Sequence, residues 1–293
     1  MELSEYQRQA QATDQVKGTT GDSILVPLLG LAGEVGSLLV EYKKQLRDGP
    51  AHRLYREQVS EELGDLLWYL ANIATKHGLD LDTIARDNLR KTTARWKHEG
   101  VGQRPLLPQF FDEQFPVMEQ LPREFDVEIR TTSAGKVECL CGGVVLGDTL
   151  EDNAYADDGY RFHDVFHLSY AAVLGWSPII RSHLKRKRRS NKQVDDVEDG
   201  GRARVIDEAV SAIVYDYARR HGFFEGVTAV DFGLLKTIKN LVSHLEVGRC
   251  TLADWENAIL QGYVAWRIIR ANNGGTVHVD LHRHAILAKL PAL

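Results

Sequence analysis

The sequence predicts a mainly α protein in two parts, a helical bundle followed by a second helical domain that carries a short β-hairpin region. Three observations carry this expectation. Apolar residues recur at helical spacing through the first hundred positions. The composition then shifts to Gly, Pro, Gln and bulky aromatics, including Pro105, Pro108, Phe110, Phe111, Phe115 and Pro116. Beyond the shift, alternating strand-like segments precede further helical runs. A chain of 293 residues is long for one bundle and sufficient for two cores. The expected division is a first domain over 1–98, a connection over 99–122 and an α-rich domain with a small β element over 123–293.

In chain order, the first part reads as helices over Ser4 to Val16, Ser23 to Arg47, His52 to His77 and Leu81 to Trp96. Asp48-Gly49-Pro50 breaks the chain between the second and third, and Asp80 and Asp82 are candidate caps for the fourth. Phe125 to Arg130 and Val137 to Leu146 read as a hairpin around Ser133-Ala134-Gly135. Cys139 and Cys141 fall on one face of its second strand and read as buried thiols. Four helical segments follow, Tyr160 to Lys185, Arg202 to His221, Thr228 to Glu246 and Leu252 to Ala271, and then a returning strand over Thr276 to Leu281. Both halves carry a four-helix pattern without an evident repeat.

The chemistry concentrates in the second and third helices. One stripe, Leu28, Leu31, Val35, Leu38, Leu39 and Tyr42, has Glu34 at its edge; the other, Val59, Leu63, Leu66, Leu70 and Ile73, has Glu62 and Asp65, three residues apart, along one edge. Packing the stripes together brings three carboxylates face to face, and such a cluster repels itself unless a cation sits among the oxygens. Oxygen donors suit hard ions such as Mg²⁺ or Mn²⁺. The alternative is a set of solvated acids at helix edges. Asn88, Lys91 and Arg95 fall along one face of the fourth helix, as contacts to a phosphate chain require, or as an ordinary polar face.

Glu34, the pair Glu62-x-x-Asp65 and the run Asn88-x-x-Lys91-x-x-x-Arg95 together resemble the MazG-like all-α nucleoside triphosphate pyrophosphohydrolases, over residues 1–98. The resemblance implies that Glu34, Glu62 and Asp65 hold Mg²⁺ and act in catalysis, and that Asn88, Lys91 and Arg95 bind the triphosphate. It implies hydrolysis of a nucleoside triphosphate to the monophosphate and pyrophosphate. One position departs from the pattern: Ser37 stands where the family has a second acid, with Glu41 one turn further on. That departure raises a rival reading, a weakened nucleotide-binding sensor or regulatory module whose second half contacts a partner. Homodimerisation, or packing of the two halves, would close the bundle.

A second constellation opens the helix at Tyr160. His163 and His167 are one turn apart in an otherwise apolar segment, and Asp207 and Glu208 lie in the next long helix. His163, His167 and Glu208 form a second candidate metal site, with a buried charge network as the alternative. The basic run Lys185 to Lys192 reads as a solvated helix end or an anion site. A net charge of −5 argues against a general nucleic-acid binder. Three cysteines without zinc spacing fit a reducing cytoplasm, and the opening residues have no signal-peptide character. No apolar run is expected to span a bilayer, so the chain is expected to be cytoplasmic with no membrane partner.

Overall fold

A computed structural model describes residues 1–96 and 110–289, without the side chains of residues 90, 91 and 94–96. The chain divides into two compact units, Met1–Trp96 and Lys97–Leu293.

The first unit is all α, with α1 over Leu3–Ala12, α2 over Asp22–Asp48, α3 over Tyr55–Lys76 and α4 over Leu81–Trp96. Gly49, at φ +53°, takes the left-handed conformation that ends α2, and Pro50 continues the turn. Asp80 caps α4, its Oδ1 accepting from the Thr83 N–H at 2.8 Å. The α2–α3 hairpin is held to α1 by specific polar contacts as well as packing. Gln7 donates to Thr75 Oγ1 and the Leu79 carbonyl, and its own oxygen accepts from the Leu81 N–H. The buried Lys76 ammonium donates to Asp14 Oδ2 and the Val16 carbonyl, each at 2.6 Å.

Only part of the expected apolar stripe is covered within this unit. Leu28, Val35, Leu39 and Tyr42 of α2 remain exposed, as do Leu63 and Leu70 of α3. Over Asp22–Ala51 the chain is also long and apolar enough to cross a membrane by length and composition. This corrects the expectation that no run reaches that length. Glu34 stands in the middle of it.

The second unit joins a five-stranded antiparallel sheet to helices. Its strands are β1 (Glu124–Thr131), β2 (Val137–Cys141), β3 (Val144–Leu150), β4 (Gly274–Asp280) and β5 (Ala285–Lys289), in spatial order β3-β2-β1-β4-β5. The expected short hairpin is therefore the middle of a larger sheet. Gly142 and Gly143, both at positive φ, turn the chain inside the segment expected to be one strand over Val137 to Leu146. Val127, Ile129, Val137, Cys139, Val277 and Val279 point from the sheet into the core, alternating with outward positions. Cys139 is buried and Cys141 partly so, both as free thiols.

The helices of this unit are α5 (Asp164–Leu174), α6 (Pro178–His183), α7 (Lys192–Val197), α8 (Gly201–Arg219), α9 (Phe232–Leu241) and α10 (Leu252–Ala271). The single helix expected from Tyr160 to Lys185 is broken because Gly175 adopts αL at φ +67° and Ser177-Pro178 starts a new helix. Every residue of α5 is buried, and α5 packs against α10 and the sheet over Phe166, Trp176, Trp255, Tyr263 and Trp266. Gly262 permits the close approach, since a Cβ there would meet Ser169 Cβ at 3.0 Å. The expected connection over 99–122 is revised in its second half: Phe110 and Phe111 pack on this core, and Phe115 and Leu121 are buried. Residues 99–109 lie outside the described residues.

The basic run is solvated only in part: Lys185, Arg189 and Lys192 are exposed, and Arg188 is in the core. Arg188 is fully buried, paired with Asp199 and Glu246 at 2.7 Å each. Lys187 pairs with Asp195, Lys192 with Asp196, and Arg186 donates to the Val117 carbonyl. The neighbouring buried Arg181 binds Asp112 at 2.7 Å, and Arg123 binds the other oxygen of the same carboxylate. These pairs hold Lys187, Arg188 and Lys192 within the unit, while Lys185 and Arg189 stay exposed.

Candidate active site

The acidic cluster is built by the α2–α3 hairpin. The Tyr69 ring occupies the space a Cβ at Gly30 would fill, at 2.3 Å, so the helices approach closely there. Four residues further along α2 is Glu34; four and seven residues back along α3 are Asp65 and Glu62. Helical turns of 3.6 residues running in opposite directions bring these to one level. One ligand oxygen from each of Glu34, Glu62 and Asp65 lies within 4.8 Å of the others.

Glu34 and Glu62 are half-buried and Asp65 is exposed. Loss of water raises the Glu62 pKa, and the charge of Glu34, a hydrogen bond with it, and the charges of Asp65 and Glu61 push it further in the same direction. The site therefore has an electrostatic deficit that a cation relieves, and its all-oxygen donor set fits a hard divalent ion. Ser37 lies half-buried one turn along α2. Glu41 does not widen the site: it is buried, with its oxygens bound to Lys44 Nζ at 2.5 Å and His52 Nε2 at 2.9 Å. Glu61 is exposed. Asn88 is exposed on α4, while the side chains of Lys91 and Arg95 lie outside the described residues.

A MazG nucleotide pyrophosphohydrolase domain model matches residues 25–99, and a MazG C-terminal domain model matches residues 107–291. The chain belongs to the MazG family. The matched nucleotide pyrophosphohydrolase domain spans all three acids and Asn88, Lys91 and Arg95. The gene 37 protein of Mycobacterium phage L5 is 39% identical over 77 residues, a stretch covering 26% of this MazG chain and 67% of the phage protein. No solved structure shows a significant match. Divalent-metal dependence is general in the MazG family, and the carboxylate cluster supplies a place for such an ion.

The second unit of this MazG protein holds another cluster. His163, His167 and Glu208 are brought together at the start of α5 and on α8, and the structure adds Asp164, which sequence reasoning passed over. The signal was present: Asp164 follows His163 in a segment with no other acid. A separate cavity of about 780 Å³, lined by Phe110, Phe111, Glu198, His244, Glu246 and Arg249 among others, shares no lining residue with this cluster.

Proposed function

We propose that the first unit hydrolyses a nucleoside triphosphate to the nucleoside monophosphate and pyrophosphate, with Mg²⁺ or Mn²⁺ held by Glu34, Glu62 and Asp65. The observation that carries this reading is the convergence of three carboxylates inside the segment matched by the pyrophosphohydrolase domain. When bound, the ion neutralises phosphate charge and lowers the pKa of a coordinated water. The chain's own residues orient the rest. A cluster oxygen not engaged by the ion accepts the proton of the attacking water as the anhydride between the α- and β-phosphorus is cleaved. By the family resemblance, Asn88, Lys91 and Arg95 of α4 would contact the phosphate chain and stabilise its developing charge.

We further infer that two copies of the chain associate through the apolar faces of α2 and α3, in a cytoplasmic setting. The support is the exposure of Leu25, Leu28, Leu29, Val35, Leu39, Leu63 and Leu70 beside the acids. Within the first unit that surface is uncovered, and apolar patches of this kind mark association surfaces. The rival, a nucleotide sensor, rests on Ser37. A panel of NTPs and dNTPs with Mg²⁺ or Mn²⁺, resolving monophosphate from diphosphate and pyrophosphate from phosphate, tests both readings. Metal-dependent release of monophosphate and pyrophosphate is expected. Metal-dependent binding without product would establish the sensor, and diphosphate with phosphate would exclude the proposed cleavage.

A further inference from the structure

The nucleotide reading leaves a buried, chemically loaded cluster in the second unit without a role. His163 is the residue just before α5, and its Nδ1 lies 2.9 Å from the Tyr160 carbonyl oxygen. A carbonyl oxygen can only accept, so Nδ1 carries the hydrogen and the neutral ring presents its lone pair at Nε2. The ring is fixed by stacking on Tyr160, with centroids 4.5 Å apart and planes 6° from parallel. One turn on, His167 is fully buried, and its Nδ1 meets Asp207 Oδ1 at 2.7 Å. Asp207 is held in turn by the Ser177 hydroxyl at 2.6 Å and the Ile179 N–H at 3.3 Å. Both imidazoles thus have the outer partner that fixes a metal-binding histidine, and both direct Nε2 to one place.

His167 Nε2 is buried and has no hydrogen-bond partner. Buried polar atoms are nearly always satisfied, and the Glu208 carboxylate is the group that faces this nitrogen, at 3.4 Å, so an ion between them would satisfy both. Around it, Glu208 Oε2 lies 3.4 Å from His167 Nε2 and 3.8 Å from His163 Nε2, and Asp164 Oδ1 lies 3.9 Å from His163 Nε2. The ligand atoms of His163, Asp164 and His167 all lie within 4.8 Å of one another, and a tetrahedral ion with bonds of about 2.0–2.1 Å has donors about 3.3 Å apart, so the side chains would draw in around an ion. The Glu208 side chain, 46% exposed, leaves a route from solvent.

We propose that His163, Asp164, His167 and Glu208 form a second metal centre, one that takes a divalent transition ion of the zinc type. Two imidazoles select against Mg²⁺ and Ca²⁺, which prefer oxygen, and favour Zn²⁺, Fe²⁺ or Mn²⁺ in that mixed donor set. The centre is independent of the acidic cluster in the first unit and stands whether or not that cluster hydrolyses nucleotides.

The test uses the full-length, tag-free chain carrying Glu62→Gln and Asp65→Asn, so that the acidic cluster is blank. Zn²⁺ is titrated in competition with a chromophoric chelator, with circular dichroism confirming the fold of each variant. One equivalent is expected to bind and to raise the melting temperature, while Mg²⁺ does neither. Adding Glu208→Gln at its half-exposed position should weaken Zn²⁺ binding by about tenfold or more, and His163→Gln should do the same. If His163→Gln does not fold, Glu208→Gln decides. Absence of a bound equivalent overturns the proposal in favour of a buried imidazolium between Asp207 and Glu208. Zn²⁺ affinity unchanged by Glu208→Gln overturns it as well.

Discussion

In the first unit three carboxylates meet on a two-helix hairpin, with side chains from half-buried to exposed and no imidazole among them. In the second, two imidazoles and two carboxylates meet at the buried start of α5, and each ring is oriented by another acceptor. Both arrangements gather donors, but their physical characters differ. Loss of water and then the neighbouring acids raise the Glu62 pKa, and the open all-oxygen donor set is of the kind that suits a hard ion. The histidine cluster is fixed by outer hydrogen bonds and lined by core residues, which suits retention of an ion. This chain therefore carries an all-oxygen cluster in one unit and a nitrogen-and-oxygen cluster in the other.

The comparison predicts that damage to each unit has a distinct signature. The largest effect is expected from Glu62→Gln or Asp65→Asn, which remove charge at nearly constant shape. Metal-dependent turnover should fall by ~10²-fold or more while far-ultraviolet circular dichroism and melting of the second unit stay unchanged. Steady-state rates at saturating Mg²⁺ check this, and wild-type rates in folded variants would refute the assignment.

In the second unit the corresponding sensitivity is to folding. Asp112→Asn strips one partner from the buried Arg181 and should destabilise that unit by about 3–5 kcal/mol, as measured by urea melts, with turnover by the first unit retained below the transition. The pH dependence follows from the same pair. Burial raises the Asp112 pKa, but the Arg181 charge and the hydrogen bonds from Arg123, the Leu121 N–H and Arg181 outweigh it, and the folded value lies below the ordinary one. Its stabilisation is then complete above the unfolded carboxylate range, about pH 4, and is lost as pH falls through the lowered folded value. Melts of the wild type between pH 7 and 2 should show that loss, and Asp112→Asn should flatten it.

A smaller effect is expected at Ser37. Ser37→Glu adds the carboxylate that the family pattern carries and should tighten Mg²⁺ about tenfold by calorimetry, an attraction of the size expected for one added charge near a partly exposed site. Weaker binding would show that the oxygens are arranged around the serine. The smallest change is expected for Glu61→Gln: Glu61 is exposed, and turnover should stay within about twofold of wild type. A larger loss would place Glu61 among the working acids.

The acidic cluster was legible because its logic is local. Glu34, Glu62 and Asp65 sit on two long helices joined by a recognisable turn, so period alone places them at one level. The histidine cluster was legible only in part. His163 and His167 share a face by spacing, whereas Asp164 comes to them because α5 begins at that residue and the preceding 3-10 turn sets the angle of entry. Glu208 and Asp207 come from α8, some forty residues on, and which of the two faces Nε2 and which Nδ1 depends on how α8 packs against α5.

The sequence by itself determined the helical first unit, the place of its acids and the start of a second domain, because helical period, turn chemistry and motif spacing are properties of neighbouring residues. The strand expected over Thr276 to Leu281 is β4 and it does return to the hairpin, pairing with β1, whereas tertiary structure alone decided that the sheet has five strands, with β3 added beside β2 and β5 beside β4. It also decided that Arg188, in the midst of the basic run, is a core residue: its charge is tolerable inside only because Asp199 and Glu246 arrive from other elements to pair with it. Contacts between distant segments, absent from any local window, set both outcomes.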